Sequence, residues 1–323
     1  MKLSIIIALY NAELYIQNCI NSVLLTNLKK DEFEIIIVND GSEDSSAMIV
    51  QRLIENNSNV HLVNKANGGQ SSARNMGFKM AKGDYILCLD SDDYIDGSQL
   101  EGLVNTLYEY KCDLLAFDFV LVDEVTKSSR ISRVYKEFEG TLSAPEFMKR
   151  FTISGAMCGY FYKRDIIIKN NLMLLDGVLQ EDEEFILKFL SYSDRVKYIS
   201  LGFYHYLQRA NSTVNNNNVN HNIRLFNDLI KVINSLNIRL YSIEPNSGLY
   251  KGFRRKVEQL IISTYLRIMK IKLNKSDKSL MIKSLIDNQL FPYKFEFSSL
   301  KFMIFYKIFS IYAYFLKSYN GKD

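Results

Sequence analysis

The chain of 323 residues is 47% hydrophobic and 24% charged, a composition typical of globular proteins that excludes a disordered one. Its length exceeds that of a usual single domain, so we expect two domains or one large core with an appended module. The net charge of +4 is unevenly distributed: residues 221–323 contain 18 Lys and Arg against 7 Asp and Glu, whereas residues 1–220 carry a net charge of −7. The acidic part suits a divalent metal, and the basic part suits anionic lipid; we expect no nucleic-acid partner.

The cysteines and the hydropathy pattern restrict the compartment. Cys19, Cys88, Cys112 and Cys158 have no CxxC spacing and lie mostly in apolar contexts, which favours buried free thiols over disulfides or zinc. The N-terminus runs directly into an apolar strand without a signal peptide, so we expect a cytoplasmic protein. An integral membrane protein is not expected, because no stretch of 18 apolar residues is free of charge.

The first hundred residues alternate buried strands with amphipathic helices. The strands are predicted at residues 2–9, 33–38, 60–63 and 85–89. The helices between them are predicted to begin near Asn11, Asp44 and Ser71. This alternation predicts a doubly wound parallel sheet of the α/β class, in which the loops that follow the strands meet at one edge.

The rest of the chain changes from a mixed pattern to a helical one. Strands are predicted at residues 114–122, 130–135 and 196–207, and helices at 98–110 and 144–152 and from residue 181 onwards. A polar segment at residues 211–222 is followed by helices predicted at 223–237, 250–272, 278–287 and 300–317. We therefore expect one domain at residues 1–214, with halves at 1–97 and 98–214, and a C-terminal helical module at 215–323.

Three carboxylates follow the strand at residues 85–89 without a spacer: Asp90, Asp92 and Asp93. Such a charge density at one strand end is costly unless a cation shares it, and hard cations prefer carboxylate oxygens. The sequence therefore predicts a metal and nucleotide site here. A helix N-cap and turn formed by Asp92, Asp93 and Asp96 is the alternative, and we favour it for Asp93.

Five segments occur in a characteristic order. They are SIIIALYN at residues 4–11, VNDGSED at 38–44, NGGQSSARNMG at 67–77, DSDD at 90–93 and ED at 181–182. Together they resemble the motifs of family 2 glycosyltransferases with the GT-A fold, over about the first 210 residues. The resemblance implies transfer of a sugar, with inversion, from a nucleotide diphosphate donor, usually with Mg²⁺ or Mn²⁺.

The resemblance also implies roles for individual residues. Asp40 would accept hydrogen bonds from the nucleobase, Asp90 would face the ribose, and Asp92 would hold the metal. Arg74 would contact the donor phosphate or the acids of the metal site, and Arg209 would contact the diphosphate. The other positions implied in donor binding are Ala8, where many relatives have proline, and Tyr10, Glu13, Asn67, Gly69 and Ser91. Structural alternatives stay open: Asp-Gly-Ser from residue 40 is a turn sequence, and an Arg on a helix can lie on its solvated face.

Asp182 matches the position of the family's proposed catalytic base, which takes the proton of the acceptor hydroxyl. The alternative is structural, because four acids at the start of a helix are stabilised by its dipole whatever else they do. We prefer Asp182 to the neighbouring Glu181. His205 is a further possible metal ligand, although a lone His in an aromatic strand is more often packed.

The last predicted helix, at residues 300–317, mixes aromatic and aliphatic residues with Lys301, Lys307 and Lys317. This pattern is typical of a helix at a membrane interface, but also of a core or a homodimer face. Because the chain has no Trp, it lacks the Gln-x-x-Arg-Trp motif of processive relatives, which indicates transfer of a single sugar.

The complete hypothesis is a metal-dependent hexosyl- or N-acetylhexosaminyl-transferase. It would use a UDP-sugar donor and a saccharide or polyprenyl-diphosphate-linked acceptor, in the synthesis of a bacterial capsule, exopolysaccharide or O-antigen, at the inner face of the cell membrane. The alternatives are a catalytically inactive nucleotide-sugar-binding scaffold or sensor, and a sugar nucleotidyltransferase. The latter would require a basic, Gly-rich phosphate loop directly after the first strand, which ALYN at residues 8–11 does not provide.

Overall fold

The computed structural model describes residues 1–209, 218–296 and 300–319. The chain forms two compact units. Unit 1 consists of Met1–Phe147, Ser154–Gly177 and Glu181–Ser212, and unit 2 of Met148–Ile153, Val178–Gln180 and Thr213–Asp323. The domain boundary predicted at residue 214 lies outside the described residues and stays a prediction.

Within the described residues, unit 1 contains a nine-stranded mixed sheet. The strands are β1 (Leu3–Leu9), β2 (Phe33–Asn39), β3 (Val60–Asn64), β4 (Tyr85–Asp90), β5 (Tyr94–Ile95), β6 (Leu114–Asp123), β7 (Ser129–Ser132), β8 (Tyr160–Lys163) and β9 (Val196–Gln208). Their order is β3-β2-β1-β4-β8-β6-β9-β5, and β7 pairs with β6. Strand β8 is antiparallel to both β4 and β6, whereas β6 and β9 are parallel.

The strands β1 to β4 are mutually parallel, as the sequence predicts. Every residue of β1 and β2 is buried, because the two faces of this half of the sheet are both covered. Ile5 and Ile7 belong to the same core as Ile16 and Ile20 of the first helix. On the opposite face, Gly77 of the third helix lies directly against Ile6.

Seven α-helices lie within residues 1–209, all of which the structure describes. They are α1 (Ile16–Leu24), α2 (Ser46–Ile54), α3 (Gln70–Met80), α4 (Gly97–Glu109), α5 (Ala144–Arg150), α6 (Arg164–Lys169) and α7 (Glu181–Leu190). The sequence did not predict β5, β8 or α6. These elements are short, and a period of two or of 3.6 residues is not legible over so few positions.

The first two helices begin later than predicted. Asn11 does not cap α1, which begins at Ile16; Asn11 has a φ of 46°, and its side-chain oxygen accepts from the backbone N–H of Glu43 at 2.9 Å. Asp44 lies just before α2, and its carboxylate accepts from the backbone N–H of Ser46 at 3.0 Å. Both residues therefore serve the loops that precede the helices, a use open to short polar side chains.

The described part of unit 2 is helical beyond residue 218, as predicted. The helices are α8 (Val219–Tyr241), α9 (Gly248–Lys270), α10 (Lys275–Asp287) and α11 (Leu300–Tyr319). Among the described residues, no helix has the length and apolarity needed to span a bilayer. The segment Met148–Ile153 joins this unit because Arg255 of α9 donates to the carbonyl oxygens of Met148 and Phe151, and Lys256 donates to that of Ile153 at 2.8 Å. All four cysteines are free and buried, which confirms the expectation.

Candidate active site

The carboxyl end of β4 carries the first acid of the site. Asp90 is the last residue of β4, and its Oδ1 accepts a hydrogen bond from Arg74 Nη2 at 2.6 Å and one from Gln70 Nε2 at 3.2 Å. Both donors lie on α3, which follows the Gly68-Gly69 loop. The sequence therefore brings Arg74 to the acids, as predicted, and not to a solvated helix face.

Arg74 also reaches the start of α7. Its Nη1 lies 3.5 Å from Glu181 Oε1, and the guanidinium group is only 4% exposed. Burial alone would lower the pKa of Arg74, but the charges of Asp90, Glu181 and Asp182 outweigh burial and raise it. One permanent cation thus connects the strand-end acids with the acidic segment about ninety residues later.

Asp182 lies in the first turn of α7, next to Glu181. Burial raises the pKa of Asp182 to about 7, and the negative charges of Glu181 and Glu183 add to the increase, while Arg74 opposes it. A carboxylate with a pKa near neutrality is suited to accept a proton under physiological conditions. Burial also raises the pKa of the neighbouring Glu181, so the start of α7 holds two carboxylates, Glu181 and Asp182, whose protonation is favoured by their surroundings.

Asp92 lies at the tip of the turn after β4 and pairs with Arg209, which follows β9. The Arg209 guanidinium also lies over the ring of Tyr15, 5.1 Å from its centre, and the Tyr15 hydroxyl donates to Glu124 at 2.6 Å. Burial and the charge of Asp90 raise the pKa of Asp92, although Arg209 lowers it. Negative charge at Asp92 is therefore disfavoured without a cationic partner.

The described residues contain no cluster of three or more His, Cys, Asp or Glu side chains that could hold a metal alone. This is compatible with a magnesium or manganese ion bound together with a nucleotide, because such ions take one or two carboxylates while phosphate and water supply the other ligands. Asp92 is a partly exposed carboxylate, and its counter-ion, Arg209, is also partly exposed. The donor set therefore fits a metal shared with a diphosphate.

Asp93 does not cap a helix, which corrects the expectation from sequence. Its carboxylate accepts from the Tyr204 hydroxyl at 2.8 Å and from the backbone N–H of Leu207 at 2.8 Å, and the residue is 2% exposed. The cap of α4 is Asp96, which accepts from the backbone N–H of Ser98 at 3.1 Å. Asp93 is instead a buried residue whose hydrogen bonds connect the acidic turn to β9.

Asp40, directly after β2, holds the glycine loop. Its carboxylate accepts from Lys65 Nζ at 2.5 Å, from the backbone N–H of Gly68 at 2.9 Å and from that of Gly69 at 2.7 Å. Asn67 donates to the Asp40 carbonyl at 3.0 Å. The predicted nucleobase residue is therefore also the anchor of the glycine loop, which contains the predicted donor-binding residues Asn67 and Gly69.

The first loop and the turn after β2 are joined. Ala8 pairs with Asp90 in the register of β1 and β4, and the exposed ring of Tyr10 follows two residues later. Glu13 is exposed, and its carboxylate accepts from the backbone N–H of Ser45 at 2.9 Å. The structure thus gives Glu13 a loop contact beside its predicted role in donor binding, and it leaves the Tyr10 ring exposed.

Two further residues considered from the sequence, Ser91 and His205, are also described by the structure. Ser91 is half-buried in the turn between Asp90 and Asp92. His205 packs against the ring of Tyr94, with ring centres 4.6 Å apart, as expected for a packed histidine. The residues that directly follow Arg209, 210–217, lie outside the described residues.

The predictions missed three residues that organise the site: Lys65, Gln70 and Tyr204. Lys65 and Gln70 flank the NGG segment in the sequence, but their acidic partners, Asp40 and Asp90, lie 25 and 20 positions away. Tyr204 is completely buried, and its hydroxyl accepts from the backbone N–H of Asp90 at 3.1 Å while donating to Asp93. No local pattern distinguishes it from the other aromatic residues of β9.

Similar proteins share both the sequence pattern and the fold. EpsJ of Bacillus subtilis, named an uncharacterized glycosyltransferase, is 31% identical over 65% of this chain, and the match spans 62% of EpsJ. The structure of residues 1–349 of Staphylococcus aureus TarS in complex with UDP superposes with a TM-score of 0.71 at 22% identity, and the match covers 90% of this chain and 81% of that one. The mannosyltransferase PcManGT of Pyrobaculum calidifontis, solved with GDP-Man and Mn²⁺, gives a TM-score of 0.55 at 12% identity and covers 100% of this chain and 88% of PcManGT.

The structural similarities, all below 25% sequence identity, establish the GT-A fold with its helical C-terminal region. They do not identify the substrates of this chain. The family is established by sequence, because residues 4–169, just over half of the chain, match a known glycosyltransferase family along their whole length. That stretch includes β1, the Asp40 turn, the glycine loop and the acids after β4. The chain belongs to Glycosyl transferase family 2.

Proposed function

We propose that this protein transfers one sugar from a UDP-sugar to a hydroxyl group of a saccharide acceptor, with inversion at the anomeric carbon. The observation that carries the proposal is the arrangement around Arg74. This buried cation joins Asp90, at the end of the donor-binding strands, to the helix that begins with Glu181 and Asp182. A nucleotide site and a carboxylate with a raised pKa thus share one charge network.

In the proposed reaction, the acceptor oxygen attacks the anomeric carbon as the bond from that carbon to the diphosphate breaks. Asp182 takes the proton of the attacking hydroxyl, and its raised pKa of about 7 gives it enough basicity for this transfer. Arg74 and Arg209 stabilise the negative charge of the departing nucleoside diphosphate. No covalent enzyme intermediate is needed, because inversion takes a single displacement.

The donor would lie along the edge where β1, β2 and β4 end. Tyr10 is exposed and supplies a ring face for the base. Asp40 is 2% exposed and already accepts three hydrogen bonds, so its proposed contact with the base requires the Lys65 side chain or the glycine loop to move. The residues proposed to contact the rest of the donor are Ala8, Glu13, Asn67, Gly69, Asp90 and Ser91. UDP is preferred as the nucleotide because the TarS structure contains it, and because a carboxylate acceptor suits the N–H of uracil.

A divalent ion, Mn²⁺ or Mg²⁺, is part of the proposal. Asp92 would hold it, and the ion would neutralise the diphosphate of the donor. The Mn²⁺ in the PcManGT complex supports a metal in this fold. Because Asp92 now pairs with Arg209, binding of the ion requires the guanidinium group to move.

The acceptor is proposed to approach α7 from the segment at residues 155–162. A Cβ on Gly155 would collide with the Glu183 carboxylate, so the absence of a side chain there lets backbone and carboxylate come together beside Asp182. Relatives suggest the class of acceptor: TarS is named a poly(ribitol-phosphate) β-N-acetylglucosaminyltransferase and is 27% identical over 64% of this chain, with 35% of TarS covered. We propose a saccharide or lipid-linked oligosaccharide of a bacterial surface polymer.

A membrane surface is the proposed location of the reaction. Helix α11 exposes a set of large apolar side chains: Met303, Ile304, Ile308, Ile311, Tyr314 and Phe315. Lys301 and Lys307 are exposed on the same helix, and the segment 221–323 is strongly basic. Apolar residues with flanking lysines suit the boundary of an anionic bilayer at the cytoplasmic face, whereas a homodimer interface would not need the lysines.

Calorimetric titration of the full chain with UDP, with and without Mn²⁺, tests the donor and the metal together. We expect binding that Mn²⁺ strengthens at least tenfold, and no comparable effect with ADP. A panel of UDP-sugars, followed by detection of released UDP, then tests turnover. Binding of UDP without transfer or hydrolysis of any donor would favour the inactive scaffold or sensor. A failure to bind UDP in either condition would reject the proposed donor.

A further inference from the structure

Unit 2 contains a cavity of about 580 Å³ between the start of α8 and the end of α9. Three basic residues line it: Arg267, Lys270 and Lys272. No acidic residue is among the described residues of its wall. The proposed transferase reaction uses none of these groups.

Arg267 is the central residue of this cavity. Its Nη1 donates to Asn222 Oδ1 at 3.0 Å, whereas its Nε is buried and has no hydrogen-bond partner among the described residues. Burial lowers the pKa of Arg267, and no carboxylate of the described chain offsets this effect. Arg267 is half-buried, and a buried donor atom without an acceptor is costly, so a polar ligand that accepts hydrogen bonds from this guanidinium group would be favoured.

The charges define the chemistry of such a ligand. A guanidinium group presents N–H donors in a planar fork that matches the oxygens of a phosphate, and two lysines nearby add positive charge without fixing geometry. The hydroxyl of Ser263 and the amide of Asn222 are further polar groups of the wall. An oxyanion with several acceptor atoms satisfies this set better than a single carboxylate.

The lining of the cavity also includes three apolar residues, here called the apolar wall: Val219, Leu266 and Ile271. A cavity of this volume is larger than one phosphate group needs, and it adds apolar surface beside the cations. A ligand that carries a hydrocarbon group next to its phosphate would cover both parts.

We propose that this cavity binds the phosphate group of an amphipathic phosphate ester, with Arg267 and Lys270 as the principal cations and Leu266 against the hydrocarbon. The phosphate can come from a soluble ester or from a lipid headgroup, since the recognised chemistry is the same. That the ester carries the glycosyl acceptor rests on the proposed function; the binding itself does not.

Titration of the full chain with farnesyl diphosphate, in saturating UDP and Mn²⁺ so that the donor site is filled, tests the inference. We expect Arg267→Gln/Lys270→Gln to weaken binding at least tenfold. The matched control, Lys251→Gln/Lys283→Gln, removes two exposed lysines of the same unit and should leave the affinity within about twofold. Equal binding by both double variants would overturn the proposal.

A second variant guards against misfolding. Lys270→Gln/Lys272→Gln changes only exposed side chains and should weaken binding by a smaller factor with unchanged circular dichroism. Inorganic diphosphate is the probe for the apolar wall: an affinity equal to that of farnesyl diphosphate would overturn the amphipathic part of the proposal.

Vesicles separate the two sources of the phosphate. Flotation with phosphatidylglycerol vesicles that depends on Arg267 would identify a lipid headgroup, whereas binding of farnesyl diphosphate alone would identify a soluble ester. Absence of binding to both probes would reject the site. A chain that binds the ester through Arg267 but does not bind UDP would refute the proposed transferase function and leave this cavity intact as a phosphate site.

Discussion

The guanidinium group of Arg209 pairs with the carboxylate of Asp92, the residue proposed to hold the metal. A cation supplied by the chain itself therefore occupies the position next to Asp92 where a divalent ion would bind. Metal binding at Asp92 and the Arg209–Asp92 ion pair would then exclude each other. Arg209 would be available to the diphosphate only when it no longer pairs with Asp92.

The first prediction concerns this competition. Arg209→Gln should strengthen Mn²⁺ binding in the absence of nucleotide by about fivefold, because a partly exposed ion pair is worth about 1 kcal/mol. The same variant should weaken binding of UDP, since a phosphate contact is lost. Titration of Mn²⁺ followed by electron paramagnetic resonance measures the first effect, with Arg52→Gln as a control at an exposed arginine. Weaker Mn²⁺ binding by Arg209→Gln would contradict the competition.

The second prediction is the pH dependence of catalysis. Because the pKa of Asp182 is raised to about 7, the ionised base becomes more abundant as the pH rises, and kcat/KM should increase through pH 7. Asp182→Asn should lower kcat by a factor of about 10² to 10⁴ and remove this rising limb, with UDP affinity unchanged. Steady-state rates between pH 5 and pH 9 provide the measurement. A variant that retains near-normal turnover would exclude Asp182 as the base.

The same shift has a consequence for stability. The folded-state pKa of Asp182 lies above the value in an unfolded chain, about 3.9, so ionisation costs stability, and this penalty grows as the pH rises from about 4 to above 7. Asp182→Asn should therefore be more stable than the unmodified protein at pH 8 and similar to it at pH 4. Urea unfolding at the two pH values, with Asp165→Asn on the surface as control, checks the sign.

The third prediction tests Tyr204 as a positioning residue. Tyr204→Phe removes the hydroxyl that connects the backbone N–H of Asp90 with Asp93, and it should cost about 1–3 kcal/mol in the free energy of unfolding. It should also weaken the Mn²⁺-dependent part of UDP binding, because the acidic turn is less restrained. Tyr108→Phe removes another tyrosine–aspartate hydrogen bond, to Asp84, and should leave UDP binding unchanged. If both variants bind UDP and Mn²⁺ normally, Tyr204 has only a structural role.

The fourth prediction concerns two glycines within helices. In Gly77→Ala, the new methyl group would collide with Ile6 of β1, so we expect a loss of about 1–3 kcal/mol in stability. In Gly102→Ala, the methyl group meets no atom within 4 Å, so the substitution should stabilise α4 by about 0.5–1 kcal/mol. Thermal unfolding of the two variants gives the comparison. A stable Gly77→Ala would mean that α3 can move away from the sheet.

The sequence was sufficient to predict the first half of the sheet and the edge at which the acidic residues lie. Apolar runs such as residues 3–9 and 33–39 are long enough to be read as buried strands, and acids at the ends of parallel strands must converge. The contact between Arg74 and Asp90 follows from that geometry. The order of the later strands could not be predicted, because β6, β8 and β9 combine parallel and antiparallel pairing through connections of very different length.

The finer assignments depended on contacts between distant residues. Asp93 and Asp96 are both acids near the start of α4. Asp93 is identified as a buried residue that connects to β9 only by its long-range contact with Tyr204, whereas Asp96 caps the helix. Similarly, the role of Lys65 depends on a carboxylate 25 positions earlier in the chain. The cavity around Arg267 left no local signal either, since isolated basic residues on a helix are ordinarily solvated.

Among the described residues, Arg74 alone forms ion pairs with both Asp90 and Glu181. This arrangement has a consequence for evolution. Its loss would leave buried carboxylates without their shared counter-charge, so it cannot be replaced by a neutral residue independently of its partners. Natural substitutions at these three positions should occur together. An aligned set of relatives in which Arg74 varies freely while both acids persist would show that another cation, such as the metal itself, can take over its charge.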